Sequence, residues 1–154
     1  MISVIVTAPN AARDLHALLS SLVPAAADGL VRQVLVLDGG SDDGAHELCE
    51  DAGADVLETT LAQAAAGARG DWILVAPADL RLRRGWGESV AAHLEAGGEA
   101  ALLVDASTPG GWLAKFRAPK TAGVLLRRSA IEGLGPDVDL ERLRRYAGRG
   151  PRLS

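Results

Sequence analysis

Short apolar runs rich in β-branched residues recur along the chain. Residues 2–6, 34–37 and 72–75 contain hardly any polar side chains. Strands buried on both faces of a parallel sheet have this composition, whereas half-exposed strands alternate apolar and polar residues. We therefore predict three buried strands here. Weaker runs predict three further strands, at residues 55–58, 100–104 and 123–126.

Stretches with helical periodicity separate the predicted strands. Leu15, Leu18, Leu19 and Leu22 recur at the spacing of one helix face, so they predict an amphipathic helix that covers the sheet. Further helices are predicted up to about residue 52, over residues 61–69 and 85–96, and from near Asp137 to Gly148. This alternation predicts an α/β fold with right-handed crossovers, a mainly parallel central sheet and helices on both faces.

Composition narrows the class of protein. A chain of 154 residues predicts one domain, residues 1–154, with a substantial core. The net charge of −4 argues against nucleic acid as a partner, because such binding needs a basic surface. Cys49 is the only cysteine, so no internal disulfide can form and a reducing compartment is expected. Met1 leads directly into a strand and no transmembrane segment is apparent, so we expect a cytoplasmic protein.

The loop LDGGSDDG follows the second predicted strand and carries candidate chemistry. Asp38 closes that strand, at the end where open α/β sheets bind ligands. Its carboxylate would repel a bare phosphate, so we expect it to accept hydrogen bonds from a sugar or base, or to hold a cation. For Asp42 and Asp43 turn formation is the simpler interpretation, and Ser41 or Asp42 can cap the next helix. Function is favoured for Asp38, because an acid at the end of a buried strand needs a partner.

Several phosphate-binding folds share this layout, and the loops exclude them. The first strand-to-helix loop, TAPNAARD, lacks the glycines that dinucleotide-binding domains and sugar-phosphate nucleotidyltransferases place there. No Gly-Lys-Ser/Thr sequence of a Walker loop occurs anywhere. A haloacid-dehalogenase-like phosphatase would need a second aspartate where Gly40 stands. Single acids at strand ends remain.

Five segments together carry a resemblance to a known family. They are SVIVTAPNAARDL, QVLVLDGGSDDGAHEL, AQAAAGARGDWILVAPADLRLRRGW, TAGVLLRRSAIEGLG and PDVDLERLRRYAGR. In this order they resemble the family 2 glycosyltransferases with the GT-A fold, of the compact bacterial type. The resemblance implies the Rossmann-like architecture of nucleotide-diphospho-sugar transferases. We expect a truncated form, because little chain lies between Asp79 and Asp137 for acceptor-binding elements.

The same resemblance implies roles for three acids. Asp38 would contact the uracil or ribose of a nucleotide sugar such as a UDP-sugar. Asp79, in the D-x-D-like motif, would bind Mg²⁺ or Mn²⁺ on the diphosphate. Asp137 would act as general base toward the hydroxyl of a small or unknown acceptor, with inversion at the anomeric carbon. Simpler interpretations remain: Asp79 as a cap of the turn after Pro77, and Asp137 as a helix cap.

Further residues match the donor-binding positions of the family, and others depart from its motifs. The matching positions are Ala8, Asn10, Gly39, Ser41 and Ala78. The departures are Ala11 and Ala62, which replace polar residues, and Pro77, which replaces the first Asp or His of the metal motif. Mg²⁺ can bind through one carboxylate with waters and phosphates, so Asp79 alone leaves a weakened metal site.

Two hypotheses follow from the matches and the departures. The first is a metal-assisted glycosyltransferase. The second is a catalytically degenerate GT-A-like domain that binds a nucleotide sugar or acts through a protein partner, such as a homodimer. The charge pattern of the last helix favours a solvated face, with contact to a diphosphate or an anionic surface as the alternative. The arginines concerned are Arg142, Arg144, Arg145, Arg149 and Arg152.

Overall fold

A computed structural model describes residues 1–8, 12–38, 40, 44–106 and 122–154. Strands and helices alternate through most of this part of the chain. The strands are β1 Ile2–Thr7, β2 Val31–Leu37, β3 Asp55–Leu57, β4 Trp72–Pro77, β5 Ala101–Leu103, β6 Gly123–Arg127 and β7 Arg152–Leu153. The helices are α1 Ala12–Ala27, α2 Ala45–Ala52, α3 Leu61–Gly67, α4 Trp86–Glu95, α5 Arg128–Gly133 and α6 Leu140–Ala147.

The strands form one sheet in the order β3-β2-β1-β4-β6-β5-β7. Strand β1 pairs in parallel with β2 and β4, and β2 pairs in parallel with β3. Strand β6 is antiparallel to both β4 and β5, whereas β5 and β7 are parallel. The α/β fold with a mainly parallel sheet, predicted from the sequence, is confirmed.

Helices cover the two faces of the sheet, as predicted. On one face, α1, α2 and α4 pack over strand residues such as Val4 and Leu74. On the other face, α3, α5 and α6 pack over Ile5, Ile73 and their neighbours. The leucines of α1 that face the sheet are almost fully buried, and each contributes about 1.5–3 kcal/mol relative to an exposed position.

Three local features differ from the sequence prediction. Helix α6 begins at Leu140 rather than near Asp137, because its N-cap is Asp139, whose side chain accepts a hydrogen bond from the backbone N–H of Arg142 (2.7 Å). The N-cap of α2 is Gly44, with φ of 81°, rather than Ser41 or Asp42. The sequence prediction also lacked α5 and β7.

Candidate active site

Three neighbouring parallel strands end at the same edge of the sheet. Thr7, the last residue of β1, pairs with Leu37 of β2 and with Pro77 of β4. The pairing continues one residue further, because the N–H of Ala8 donates to the carbonyl of Leu37 (3.2 Å) and the N–H of Ala78 donates to the carbonyl of Thr7 (3.1 Å). The predicted donor residues Ala8, Asp38 and Ala78 therefore lie side by side at the carboxyl edge of the sheet.

Asp38 is buried at this edge. It follows β2, and its backbone N–H donates to the carbonyl of Leu57 at the end of β3 (3.3 Å). Only 4% of the residue is exposed. The charge of Asp38 also acts on Cys49 of α2. Burial raises the pKa of the Cys49 thiol, and the charge of Asp38 raises it further. Cys49 is buried, and its thiol is free.

Asp79 lies in an exposed turn directly after β4. The turn is anchored two residues later, where the backbone N–H of Arg81 donates to Oδ2 of Asp105 (2.9 Å) and the carbonyl of Arg81 accepts from the N–H of Ala106 (2.8 Å). Asp105 is almost completely buried beyond the end of β5. The Arg81 side chain forms an ion pair with Asp14 in the first turn of α1. Asp105 thus fixes the segment carrying Asp79 to the chain after β5, and the ion pair between Arg81 and Asp14 fixes it to α1. The sequence analysis did not predict this function of Asp105.

Helix α6 begins at the same edge. Pro151 follows the end of α6, and its carbonyl accepts a hydrogen bond from the N–H of Leu102 (2.9 Å). The C-terminal end of α6 is therefore close to the start of β5. Because β5 runs parallel to β4, α6 runs antiparallel to both and starts near their carboxyl ends. Asp137 precedes α6 with an exposed side chain, and the next residue, Val138, is buried in the core beneath.

Arg144 of α6 points into this region, although the sequence favoured a solvated face. Its Nε donates to the carbonyl of Ala122 (2.8 Å), just before β6. Burial lowers the pKa of Arg144, and the carboxylates of Asp79 and Glu141 partly oppose that shift. The arginine-rich pattern contained no signal for this, because it did not fix the rotation of the helix about its axis.

The described part of the carboxyl edge offers few side-chain ligands for Mg²⁺ or Mn²⁺. Among the described residues there is no group of three His, Cys, Asp or Glu side chains that could hold a metal ion. Asp79 offers one exposed carboxylate, and Pro77 stands where a second is expected. This set suits a Mg²⁺ or Mn²⁺ ion that arrives with a diphosphate and keeps several waters, and does not suit an ion held by protein ligands alone.

Three predicted donor residues, Asn10, Gly39 and Ser41, lie outside the described residues, as do Asp42 and Asp43. Their contacts stay predictions, as do the roles of the other site residues. A cavity of about 570 Å³ bounded by described residues lies along β3 and reaches Leu57, whose carbonyl accepts a hydrogen bond from the N–H of Asp38. Another, of about 680 Å³, lies near the amino end of β4 and is lined by residues that include Trp72, Arg127 and Tyr146. Among the helices of the described ranges, none is long and apolar enough to cross a membrane.

Solved structures with a similar fold include two sugar-phosphoglycerate synthases. Glucosyl-3-phosphoglycerate synthase from Mycobacterium tuberculosis, in complex with Mn²⁺ and UDP-glucose, is 21% identical with a TM-score of 0.71, over 99% of this chain and 68% of that one. Mannosyl-3-phosphoglycerate synthase from Rubrobacter xylanophilus is 18% identical with a TM-score of 0.65, over 84% of this chain and 54% of that one. The chain thus spans between about half and two thirds of the length of these enzymes.

Sequence comparison leads to the family. No functionally curated protein matches the chain. The sequence model of glycosyl transferase family 2 matches residues 3–129, which is most of the chain. The match includes the ends of β1, β2 and β4 that form the site. The chain therefore belongs to glycosyl transferase family 2.

Proposed function

We propose that the protein is a glycosyltransferase that moves a sugar from a nucleoside diphosphate, such as UDP, to a small acceptor. The observation that carries this proposal is the convergence of Ala8, Asp38 and Ala78–Asp79 at one sheet edge in a family 2 chain. Ala8 and Ala78 are buried beside Asp38, and Asp79 follows with an exposed side chain. Ligands of open α/β sheets bind at such an edge.

The site divides into a nucleoside end and a diphosphate end. Asp38, two strands away from β4, would accept hydrogen bonds from the uracil or ribose. Asp79, after β4, would hold the diphosphate through a divalent cation. Asn10, Gly39 and Ser41 would complete the nucleoside end. When bound, Mg²⁺ or Mn²⁺ would neutralise charge on the departing diphosphate.

Asp137 is assigned the role of general base. Its carboxylate would take the proton of the acceptor hydroxyl as that oxygen forms a bond to the anomeric carbon. The bond between that carbon and the diphosphate oxygen breaks, and the nucleoside diphosphate leaves with the electron pair. The configuration at the anomeric carbon inverts. The exposed position of Asp137 before α6, at the edge that also carries Asp79, supports this assignment.

A small acceptor fits the other observations. One solved structure of the same fold contains phosphoglyceric acid, so a small phosphorylated acid is a suitable first acceptor to test.

We propose that residues 1–154 act as one domain. A single cysteine, Cys49, suits the reducing conditions expected in the cytoplasm.

The direct test is a panel of nucleotide sugars in a thermal-shift assay, with Mn²⁺ or with a chelator. A donor at one hundred times its Kd should raise the Tm by about 5–10 °C. The Asp79→Asn variant should lose the Mn²⁺-dependent part of that shift. Asp28→Asn is the matched control, because Asp28 is an exposed aspartate between α1 and β2, at the opposite edge. No shift with any donor in either condition would contradict the proposal.

A second candidate is a nucleotide-sugar binding or protein-interaction module without transfer activity, including a homodimer. Pro77 in the metal motif and Ala11 after β1 favour it. Product formation separates the two candidates: the transferase releases UDP from UDP-sugar when an acceptor is present, and Asp137→Asn abolishes that release. A chain that binds the donor and releases no UDP with any acceptor supports the module.

A further inference from the structure

Arg144 is held at the edge of the proposed donor site by its hydrogen bond to Ala122. Strands β4 and β6 are antiparallel, with Val75 opposite Val124. Continuing this register by two residues brings Ala122 beside Pro77. The hydrogen bond from Nε of Arg144 to the carbonyl of Ala122 (2.8 Å) therefore places the guanidinium close to the incomplete metal motif.

Toward the described part of the chain, the guanidinium of Arg144 has further N–H groups that make no hydrogen bond. Among the residues that the structure describes, no hydrogen bond or ion pair engages the two terminal nitrogens of Arg144. Its stem is half-buried, and side chains on a helix tilt toward the helix N-terminus, which here is the carboxyl edge of the sheet. The charge of Asp79 acts on Arg144, so the two side chains share one region. Both terminal nitrogens can thus serve a ligand there.

We propose that the guanidinium of Arg144 binds the diphosphate of the donor directly and supplies positive charge that the incomplete metal motif lacks. This inference rests on the proposed function. A planar guanidinium fixed through Nε presents its remaining N–H groups as a fork, which matches phosphate oxygens. The donor then retains substantial affinity without a divalent cation.

The charges at the edge are consistent with this assignment. A diphosphate ester carries two negative charges, and the carboxyl groups of Asp38, Asp79 and Asp137 lie at the same edge. Arg144 supplies positive charge there. Pro77 stands where the family motif has a further Asp or His. Both features make the edge less repulsive to an anionic ligand that arrives with little help from metal.

The test is calorimetric titration of UDP into four forms of the chain in the presence of a chelator. The forms are the natural chain, Arg144→Gln, Arg144→Lys and Arg145→Gln. Arg144→Gln should weaken UDP binding about 10- to 100-fold, the effect of losing charge-assisted hydrogen bonds. Arg144→Lys should recover part of that loss, because it restores the charge without the fork. Arg145→Gln removes the same charge from an exposed neighbour and should change the affinity less than twofold.

Pyrophosphate and uridine identify the part of the donor that Arg144 recognises. Arg144→Gln should weaken pyrophosphate binding by a similar factor and leave uridine binding unchanged. A variant that had lost its fold would lose both, and its circular dichroism spectrum would differ from that of the natural chain. Equal losses for uridine and pyrophosphate in a folded variant would overturn the inference.

Two further outcomes separate this inference from the proposed function. If the natural chain binds UDP with Mn²⁺ only, and Arg144→Gln does not alter that binding, the inference is overturned and the proposed function stands. If the natural chain binds no nucleoside diphosphate with or without Mn²⁺, both are overturned.

Discussion

The two halves of the sheet differ in strand direction and in how they position residues of the candidate site. The half formed by β3, β2, β1 and β4 is entirely parallel, and its three longest strands end in register at the candidate site. The half formed by β6, β5 and β7 mixes directions, and its strands are shorter than β1, β2 and β4. In the first half the backbone itself brings the site residues together. In the second half individual side chains make the connections, namely Asp105 to the segment after β4 and Arg144 to Ala122.

This difference indicates which contacts hold each part of the proposed site in position. The nucleoside end depends on strands that are buried on both faces and is rigid for that reason. The diphosphate end depends on a few polar contacts across the second half. Apolar substitutions in the first half should therefore act mainly on stability, whereas loss of a polar contact in the second half should affect both stability and binding at Asp79.

The largest expected effect is the loss of a leucine from the parallel half. Leu74→Ala empties a fully buried position in β4 and should lower the free energy of unfolding by about 2–5 kcal/mol. Leu153→Ala in β7 removes a half-buried leucine and should cost about 1 kcal/mol, since less apolar area is lost. Urea denaturation measures both. Equal losses would contradict the greater contribution expected from the fully buried leucine.

An intermediate effect is expected at Asp105. Asp105→Ala leaves the N–H of Arg81 without its acceptor, which should cost about 1–3 kcal/mol of stability. Because Asp79 lies two residues before Arg81, the affinity for UDP should also fall in Mn²⁺. Asp55→Ala, in an exposed position of β3, is the control and should change neither quantity. Unaltered UDP affinity in Asp105→Ala would show that the Asp79 segment does not depend on the second half.

The smallest effect concerns the start of α6. Asp139→Ala removes the N-cap and should cost about 1 kcal/mol. Asp137→Ala, two residues earlier, should stay within about 0.5 kcal/mol of the natural chain, because Asp137 is exposed and is not the cap. Thermal or urea unfolding of the pair separates capping from function. A larger loss of stability for Asp137→Ala than for Asp139→Ala would show that Asp137, and not Asp139, stabilises the start of α6.

The parallel half was predictable because its strands are read from composition alone. Buried parallel strands are continuous apolar runs, so residues 2–6 and 72–75 identified β1 and β4 within two residues of their ends. The leucines of α1 identified its buried face. Asp38 and Asp79 could then be assigned to one edge, because parallel strands present their carboxyl ends together.

The second half was less predictable for physical reasons. Strand β7 has two residues and α5 has six, too few to establish a period. Asp137 and Asp139 are both suitable caps by residue type, and only backbone geometry distinguishes them. Arg144 and Arg145 are adjacent in an arginine-rich helix, and only the packing of α6 against β6 determines which one faces the site. Asp105 follows a short strand and has no motif around it.

We propose that the carboxyl edge of the sheet binds a nucleoside diphosphate, and titration of ¹⁵N-labelled protein with UDP and Mg²⁺, followed by amide chemical shifts, locates the bound ligand. We expect the largest changes at Ala8, Asp38 and Asp79, with little change at Trp72, Arg127 and Tyr146 around the cavity near the amino end of β4. Changes centred on that cavity, with the carboxyl edge unaffected, would show that the ligand binds elsewhere.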